Sequence, residues 1–453
     1  MTHEELESTH PLYSAFIHEW LFYVRSYFGG RMYKDGDYLL QHPFESGANY
    51  ARRKETSYFY NYCGPVVDIF VSHLFRKDAQ RDYGSLSDDS LFNMFLKDAD
   101  LEGNTFRHFM REAQRFASVY GRVSIIVDKP QALAATRAEA EDLGIRPYLS
   151  MVTPENLLDW SFVRLPYSGR LVLDTVKIRE GKDTYRIWNR DGWELWQAVE
   201  ATGEVRLADA GWHGLGEVPL VNLYNKISGT RMLGISDIQD IADINRNIYY
   251  LCSDAREIIE NTAFPMLALP YSRGDANERE VGPRNILQFD PAEPNARPYW
   301  LEAPHSSLTE IREWVRHDIE EIYRIAKLGG VKAAEDHGSA RSGVAIELEY
   351  QQLYSTLSEK ADNLEQAESR VLELWARWEG SSFDGYIDYP DDFSVKDLDR
   401  ELQNAMKAQE AAIGSPTFRK ELQKRIALSV LPKAGEEVLC RICDEIDSGA
   451  QAL

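Results

Sequence analysis

The longest regular pattern in the chain is one amphipathic stripe between Ser339 and Glu379. Its apolar positions recur every three or four residues: Ile346, Tyr350, Leu353, Leu357, Ala361, Leu364, Ala367, Val371, Leu374 and Trp378. That spacing is one face of an α-helix. Because no proline or glycine occurs between Gly343 and Gly380, the pattern predicts an unbroken helix about 50 Å long, at a rise of about 1.5 Å per residue.

The segment before this helix has no apolar period. Residues 328–338 read Leu-Gly-Gly-Val-Lys-Ala-Ala-Glu-Asp-His-Gly and contain three glycines. A glycine-rich segment without periodicity is typical of a loop. We therefore predict a mobile loop that leads into the long helix.

The first half of the chain mixes helical and strand patterns. A hairpin is predicted at Asp191-Gly192, because this turn sequence separates two short runs rich in tryptophan. It lies within a β-meander predicted from Leu157 to Lys226. The remaining predictions are helices over 11–28, 46–76 (bent or broken at Gly64-Pro65), 88–120 and about 132–143, and strands over 122–128 and 147–152.

The second half contains two sequences typical of helix starts. Ser236-Asp237-Ile238-Gln239 and Ser307-Leu308-Thr309-Glu310 each place serine three residues before Gln or Glu. In such a capping box the serine oxygen accepts the N–H of the last of the four residues. The two predicted helices cover 236–262 and 307–327, and Gly329-Gly330 closes the second. Between them, prolines and short apolar pieces predict a turn-rich insert with short strands. The last segment, 383–453, is predicted to be helical after Tyr389-Pro390, with another helix starting at Ser415-Pro416-Thr417.

Composition narrows the possible functions. The chain has 453 residues, 43% of them hydrophobic, and a formal net charge of −22, which fits a globular protein of two or three domains. Apolar runs fall short of the roughly 20 residues that a membrane helix needs. The acidic N-terminus is unlike a signal peptide, which predicts a cytoplasm-like compartment. Since phosphates are bound by Lys and Arg, the charge disfavours tight passive binding of nucleic acid but suits a protein that lets DNA pass.

No pattern for metal, cofactor or nucleotide chemistry is complete. Cys440 and Cys443 have metal-ligand spacing but lack a second pair. The Gly181-Lys182 pair does not form a phosphate-binding loop. Paired acids such as Asp88-Asp89 and Asp391-Asp392 lie at predicted turns or helix starts, where carboxylates are common. We expect no catalytic residue, no metal and no cofactor. Tryptophans and tyrosines of the first half are expected to pack in the core and at interfaces rather than to stack on bases.

The order of these elements resembles that of portal (head-to-tail connector) proteins of tailed double-stranded DNA bacteriophages. Two short sequences add to the resemblance: Gly234-Ile235-Ser236-Asp237-Ile238 and Ser342-Gly343-Val344-Ala345. The resemblance implies an α+β portal fold that covers nearly the whole chain. Its parts would be a mixed α/β wing (1–230), stem helix 1 (231–263), a small α/β clip (264–305), stem helix 2 (306–327), a tunnel loop (328–340), a long kinked wing helix (341–380) and a helical crown (381–453).

The resemblance also implies a function. Portal proteins form a closed ring, commonly of about twelve copies, at one vertex of the capsid. DNA is packaged through the ring by the terminase large subunit and later ejected. The implied partners are copies of the chain itself, terminase, capsid and scaffolding proteins, head-completion, adaptor or tail proteins, and double-stranded DNA read without sequence specificity, but no membrane. The protein would be a non-enzymatic component of the virion, assembled in the host cytoplasm.

Within such a ring we expect the apolar stripes of the long helices to contact neighbouring subunits. Carboxylates of the second stem helix would add negative charge if they face the channel: Glu310, Glu313, Glu320 and Glu321. The candidate DNA-tunnel residues are Lys327, Lys332, His337 and Arg341. The candidate partner-binding residues of the clip are Arg273, Arg279, Arg284 and Arg297.

Two other classes of function remain open from sequence. A metal-dependent enzyme acting on nucleic acid would be a monomer or dimer with metal-stimulated turnover. A helical scaffold or adaptor protein would assemble without a central hole. For the tunnel candidates, the alternative to DNA contact is that they are solvated loop charges.

The DNA-contact hypothesis makes a direct prediction for two of the loop cations. Replacing Lys332 and Arg341 by alanine should weaken packaging or DNA retention in assembled particles, because cations on the loop would hold the DNA backbone briefly. Retained DNA per particle is the measurement. Unchanged packaging and retention would leave these residues as solvated charges.

Overall fold

The computed structural model describes residues 2–131, 136–199, 204–263, 266–270, 287–289, 297–301, 306–329, 343–390, 393, 415–430 and 436–448. The chain divides into two units, Met1–Asp392 and Phe393–Leu453. Of the candidate site residues, six lie outside the described ranges: Arg273, Arg279, Arg284, Lys332, His337 and Arg341. Within those ranges, no helix is both long enough and apolar enough to cross a bilayer.

The helices of the first unit are α1 (His3–Glu7), α2 (Pro11–Phe28), α3 (Gly30–Lys34), α4 (Gly47–Thr56), α5 (Cys63–Leu74), α6 (Ser90–Lys97), α7 (Phe106–Tyr120), α8 (Arg137–Leu143), α9 (Gln239–Ala263), α10 (Ser306–Ile325) and α11 (Gly343–Trp378). The second unit contains α12 (Pro416–Val430) and α13 (Glu436–Ser448), which contact each other.

The strands are β1 (Gln80–Asp82), β2 (Arg122–Asp128), β3 (Tyr148–Val152), β4 (Leu157–Arg164), β5 (Leu171–Arg179), β6 (Thr184–Asn189), β7 (Gly192–Val199), β8 (Glu204–Trp212), β9 (Leu220–Tyr224), β10 (Met266–Pro270), β11 (Leu287–Phe289), β12 (Tyr299–Leu301) and β13 (Tyr386–Asp388). Among the described residues, strands β4 to β9 form one run without helices, the other strands lie between helices, and most strand pairs are antiparallel. The predicted α+β class is confirmed.

Strands β4 to β8 form one antiparallel meander in sequence order. The hairpin predicted at Asp191-Gly192 is present, and Trp188 of β6 lies opposite Trp193 of β7. Both tryptophans are buried, and the guanidinium of Arg186 lies 4.4 Å from the Trp193 ring. Core packing of these aromatic residues is therefore confirmed.

A second sheet carries the fully buried strand β2 between β3 and β9. Its β-branched sequence, Arg122-Val123-Ser124-Ile125-Ile126-Val127-Asp128, suits a strand covered on both faces. A third sheet has the order β11-β10-β12, in which β10 is parallel to β11 and antiparallel to β12. It occupies the insert between α9 and α10, where short strands were predicted.

Two segments that were each predicted as one helix contain two helices in the structure. A break within 46–76 is present, but it falls at 57–62, so Gly64-Pro65 lies in the first turn of α5 instead of bending or breaking a helix. Proline is tolerated in a first turn because its missing N–H would have no helical acceptor. Residues 88–120 break between α6 and α7, where Asp98 Oδ1 accepts the N–H of Gly103 (2.8 Å) and Asp100 Oδ1 that of Glu102 (3.0 Å). These side chains compete with helical hydrogen bonds.

The long helix α11 contains 36 residues, about 54 Å at a rise of about 1.5 Å per residue. From Leu353 to Leu374 its predicted stripe is buried inside this one chain: Leu353, Leu357, Ala361, Leu364, Ala367, Val371 and Leu374 are each at most 3% exposed. The helix packs on α5, β2, β9 and β13. The expectation that this stripe contacts neighbouring subunits is therefore wrong for these positions, because the chain's own sheet and helices already cover them.

At the first predicted capping box, the hydrogen bonds of Ser236 differ from the prediction. Ser236 Oγ accepts the N–H of Ile238 (3.1 Å), two residues on, and donates to the carbonyl oxygens of Val119 (2.6 Å) and Ser118 (3.2 Å). The serine thus fixes the start of α9 to the end of α7. A local sequence pattern could not show this, since the acceptors lie more than 100 residues away.

The same junction explains the glycine in the Gly234-Ile235-Ser236 sequence. A Cβ built on Gly234 would lie 1.9 Å from the carbonyl oxygen of Gly121, and Gly121 itself ends α7 in the left-handed conformation with φ +87°. Two backbone segments meet here at a distance that leaves no room for a side chain.

We predict that Gly234→Ala lowers the free energy of unfolding by about 1–3 kcal/mol, since overpacking forces backbone to move. Gly229→Ala is the matched control, because a Cβ at Gly229 meets nothing within 4 Å, and its effect should stay within about 0.5 kcal/mol. Chemical denaturation of both variants is the measurement. Equal stability of the two variants would contradict the close approach.

Candidate functional site

Helices α9 and α10 form an antiparallel pair, which we call the stem hairpin. Asn247, in the first half of α9, donates to Asp318 Oδ2 in the second half of α10 (2.7 Å). Strand β10, which follows α9, pairs antiparallel with β12, which precedes α10. Ile248 on α9 and Ile322 on α10 are both fully buried. The apolar periodicity of both helices therefore produces a two-helix projection with the short β10–β12 sheet at its turn.

The outward side of α10 carries charged residues of both signs. Glu320 lies 3.4 Å from Arg316, and Glu321 lies 2.6 Å from Arg324. Glu313 lies 3.7 Å from Arg312. Three of the four carboxylates expected to make this helix negative are thus accompanied by an arginine of the same helix. Surface pairs of this kind contribute little to stability, but they reduce the local negative field.

One side of α9 is held by the segment that runs from residue 38 to α4. Arg53, 2% exposed, donates to both carboxylate oxygens of Glu45 (2.8 Å each), to the carbonyl oxygen of Leu40 (2.6 Å) and to Ser253 Oγ on α9 (3.1 Å). The hydrogen bonds from Arg53 lower the pKa of the Glu45 carboxyl. A bidentate guanidinium with further acceptors is a strong, directional contact, so Arg53 fixes the loop and α9 together.

The base of the hairpin is a buried polar cluster, which we call the stem-base cluster: Gln114, Ser118, Asn225, Asp237 and Lys360. Lys360, in the middle of α11, donates to Asp237 Oδ1 (2.7 Å) and Oδ2 (2.8 Å) and to Asn225 Oδ1. Burial lowers the pKa of the Lys360 ammonium, although the Asp237 carboxylate opposes this. The cluster joins α7, the end of β9, the start of α9 and the long helix.

A second buried charge on α11 connects it to β1 and β13. Glu368, 0% exposed, accepts two hydrogen bonds of 3.0 Å from Arg81 and one from the Tyr389 hydroxyl. Arg81 also donates to Tyr389 (2.9 Å). Burial acts against the Arg81 charge, but the facing carboxylate outweighs it and raises the pKa of Arg81.

Sequence reasoning missed Lys360, Glu368 and Arg53. Two of them had a signal: Lys360 falls three residues after Leu357, and Glu368 four residues after Leu364, so both are charged residues in the register of the apolar stripe. A charge in such a position must be paired when the face is buried. Arg53 had no comparable signal, because Glu45 and Leu40 lie in a loop without periodicity and Ser253 lies on a distant helix.

The structure describes two of the eight candidate binding residues. Lys327 lies just past α10 in the left-handed conformation, with φ 57°, and ends that helix two residues before the predicted Gly329-Gly330 stop. Its ammonium donates to Thr356 Oγ1 of α11 (3.0 Å). Arg297 is exposed beside β12. The structure therefore does not bring the candidates together into a described site, and their roles stay predictions.

Within the described ranges, no group of three or more His, Cys, Asp or Glu side chains could hold a metal ion. These residues form a helical hairpin that carries charges of both signs on its outer side and is fixed at its base by buried polar contacts.

Two adjacent arginines of α4 test how the hairpin is held. Arg53→Ala should lower the free energy of unfolding by about 3 kcal/mol, because Glu45 loses its buried partner. Arg52 also contacts α9, through Glu257 and Glu260, but is 49% exposed, so Arg52→Ala should cost at most about 1 kcal/mol. Denaturant titration of both variants is the measurement. Similar losses at the two sites would show that burial of Arg53 is not what holds α9.

Residues 237–379 match a domain of unknown function, DUF4055; the match covers a minority of the chain. No curated protein matches. Among solved structures, the chain is similar to one in the virion of a native gene transfer agent (GTA) particle, with TM-score 0.42, 11% identity, and 80% of this chain and 89% of that chain covered.

Two further solved structures match at similar levels. The neck of an empty GTA particle computed with C6 symmetry gives TM-score 0.43 and 11% identity, covering 80% of this chain and 88% of that chain. The neck of a native GTA particle computed with C12 symmetry gives TM-score 0.38 and 12% identity, covering 78% and 86%.

Proposed function

We propose that this protein is the portal protein of a tailed double-stranded DNA phage: a ring through which the genome enters and leaves the capsid. The observation that carries the proposal is the stem hairpin. It starts at a buried polar base next to the β2 sheet, has a small sheet at its turn, and is followed by a 36-residue helix. This is the order of elements that the sequence resemblance to portal proteins implies.

The exposed apolar residues of the hairpin support assembly into a ring. Trp314 on α10 is 57% exposed and Ile259 on α9 is 53% exposed. Since the stripe of α11 is already buried within the chain from Leu353 to Leu374, we place the contacts between subunits on other surfaces. In a closed ring each subunit meets its neighbours through two different faces, and we place the neighbouring hairpin over Trp314.

The charge of the hairpin suits passage of DNA rather than tight binding. Helix α10 has five acidic and three basic residues, and the arginines are accompanied by carboxylates of the same helix. A wall with little free positive charge would release few counterions from DNA and therefore bind it weakly. The tunnel candidates Lys327, Lys332, His337 and Arg341 would supply the few cations that touch the DNA backbone.

The remaining roles follow from the portal proposal. We assign no residue of this chain to ATP hydrolysis, which the terminase large subunit would supply. The sheet of β10–β12, with Arg297, would belong to the clip, where head-completion, adaptor or tail proteins dock. Capsid and scaffolding proteins would surround the ring at the capsid vertex of the virion.

Light scattering of the purified protein tests the proposal, followed by electron microscopy of the largest species. Twelve copies of the 51.9 kDa chain would have a mass of about 620 kDa in closed cyclic symmetry. We expect rings with an open centre, either in purified protein or in protein released from particles. A compact dimer in both preparations would overturn the proposal.

Two tryptophan variants test, by the same measurement, whether the hairpin forms the contact between subunits. Trp314→Glu should shift the protein from rings to smaller species, because a charge would enter the subunit contact. Trp212→Glu is the matched control: Trp212 is 71% exposed on β8, in the meander, and its variant should assemble as the wild type does. Normal rings from Trp314→Glu would place the subunit contact elsewhere.

A further inference from the structure

We propose that Lys360 and Asn225 become joined by an intramolecular isopeptide bond, with Asp237 as the residue that transfers the protons. This inference concerns the stem-base cluster alone and does not depend on the proposed portal function. It assigns to the cluster a covalent modification between the end of β9 and the middle of α11.

The two reacting groups are in contact. The Lys360 amine touches Asn225 Oδ1, and the amide carbon Cγ is one C=O bond, about 1.2 Å, from that oxygen. An amine placed this close to an amide carbon has the proximity that accelerates an intramolecular reaction. The backbone holds this arrangement, because the Asn225 N–H donates to the Gly121 carbonyl (2.9 Å) and Asn363 donates to the Asn225 carbonyl (3.4 Å).

Asp237 touches both the attacking and the leaving nitrogen. Its Oδ1 lies 2.7 Å from Lys360 Nζ and 2.9 Å from Asn225 Nδ2, and its Oδ2 lies 2.8 Å from Lys360 Nζ. A carboxylate within hydrogen-bond reach of both groups can act first as general base and then as general acid.

Donors also surround the oxygen on which negative charge would develop. Asn225 Oδ1 accepts hydrogen bonds from Ser118 Oγ (3.1 Å) and from Gln114 Nε2 (3.4 Å). Both residues lie on α7, and both are 0% exposed. Fixed donors in a dry site stabilise a tetrahedral oxyanion more strongly than water does.

Burial makes the Lys360 ammonium easier to deprotonate and keeps water away. Lys360 and Asn225 are each 2% exposed, and the Phe70 ring lies 5.2 Å from Lys360 Nζ. Burial is the largest influence on Lys360 and lowers the pKa of its ammonium. A buried ammonium gives up its proton more readily than an exposed one, which leaves the lone pair that the attack requires.

The reaction balances without any external reagent. Asp237 takes one proton from the Lys360 ammonium, and the neutral Nζ attacks Asn225 Cγ to give a tetrahedral intermediate. A new Nζ–Cγ bond forms, and the protonated Asp237 gives its proton to Nδ2. The Cγ–Nδ2 bond then breaks, so that ammonia leaves, and the Asp237 carboxylate takes the second proton from Nζ. That proton leaves with the ammonia, so the products are a secondary amide and one ammonium ion, with no oxidation or reduction.

The bond would tie the β2 sheet to the long helix across 135 residues of sequence. A covalent link between distant positions reduces the freedom of the unfolded chain, as a disulfide does. Unlike a disulfide, an amide is not opened by thiols, so the link would persist in a reducing compartment.

Intact-mass measurement of the full, denatured chain tests the proposal. Loss of ammonia should lower the mass by about 17 Da relative to the sequence. Digestion with trypsin should then give one branched peptide that contains both Asn225 and Lys360, with no cleavage after Lys360. A chain of unmodified mass that yields the two peptides separately would overturn the proposal.

Two variants separate this bond from other reactions of asparagine. A succinimide at Asn225 also loses ammonia, but it does not need the lysine, so Lys360→Met should abolish the mass loss only if the isopeptide forms. Asp237→Asn keeps both reacting groups and removes the proton acceptor, and should leave the mass at its unmodified value. A mass loss that survives Lys360→Met would show a succinimide and contradict our inference.

Discussion

Burial of one face of α11 is the constraint on which the first unit of the structure depends. That face covers the β2 sheet and α5 at once, and it contains two charged side chains, Lys360 and Glu368, among otherwise apolar residues. An unpaired charge in such a place would cost several kcal/mol, which is a large part of the free energy of unfolding of a typical domain, about 5–15 kcal/mol. Each of the two charges therefore selects its partners, and the partners come from elements far away in sequence.

Those selected partners determine how the rest of the unit is connected. Glu368 gathers Arg81 and Tyr389, and so brings together β1 and β13, which pair although about 300 residues separate them. Lys360 gathers Asp237 and Asn225, and so fixes where α9 leaves the sheet. The stem hairpin begins at that point, which means that its direction is set by the same helix whose apolar face organises the core.

Sequence periodicity predicted the parts of this fold that arise from local patterns. The described course of α11 (Gly343–Trp378), the hairpin at Asp191-Gly192 and the buried strand β2 all follow from spacing or turn chemistry, and all are confirmed. The break within 88–120 was missed, and the break within 46–76 falls at 57–62 instead of at the predicted Gly64-Pro65, because side chains and packing ended those helices where propensity did not. The β1–β13 pair and the Ser236 contacts were out of reach for another reason: their hydrogen-bond partners lie far away in sequence. For the site, the apolar register could have identified Lys360 and Glu368 as paired charges, whereas nothing local identified Arg53.

The central claim is that the stem hairpin forms the wall around passing DNA. Cryo-electron microscopy of DNA-filled particles tests it most directly, because the axial DNA and the helices around it appear in one map. Our account predicts that α9 and α10 of successive subunits surround the axial DNA density, with the β10–β12 sheet at one end of the ring. A map in which these helices lie away from the DNA, or in which this chain is absent from the axis, would contradict the account.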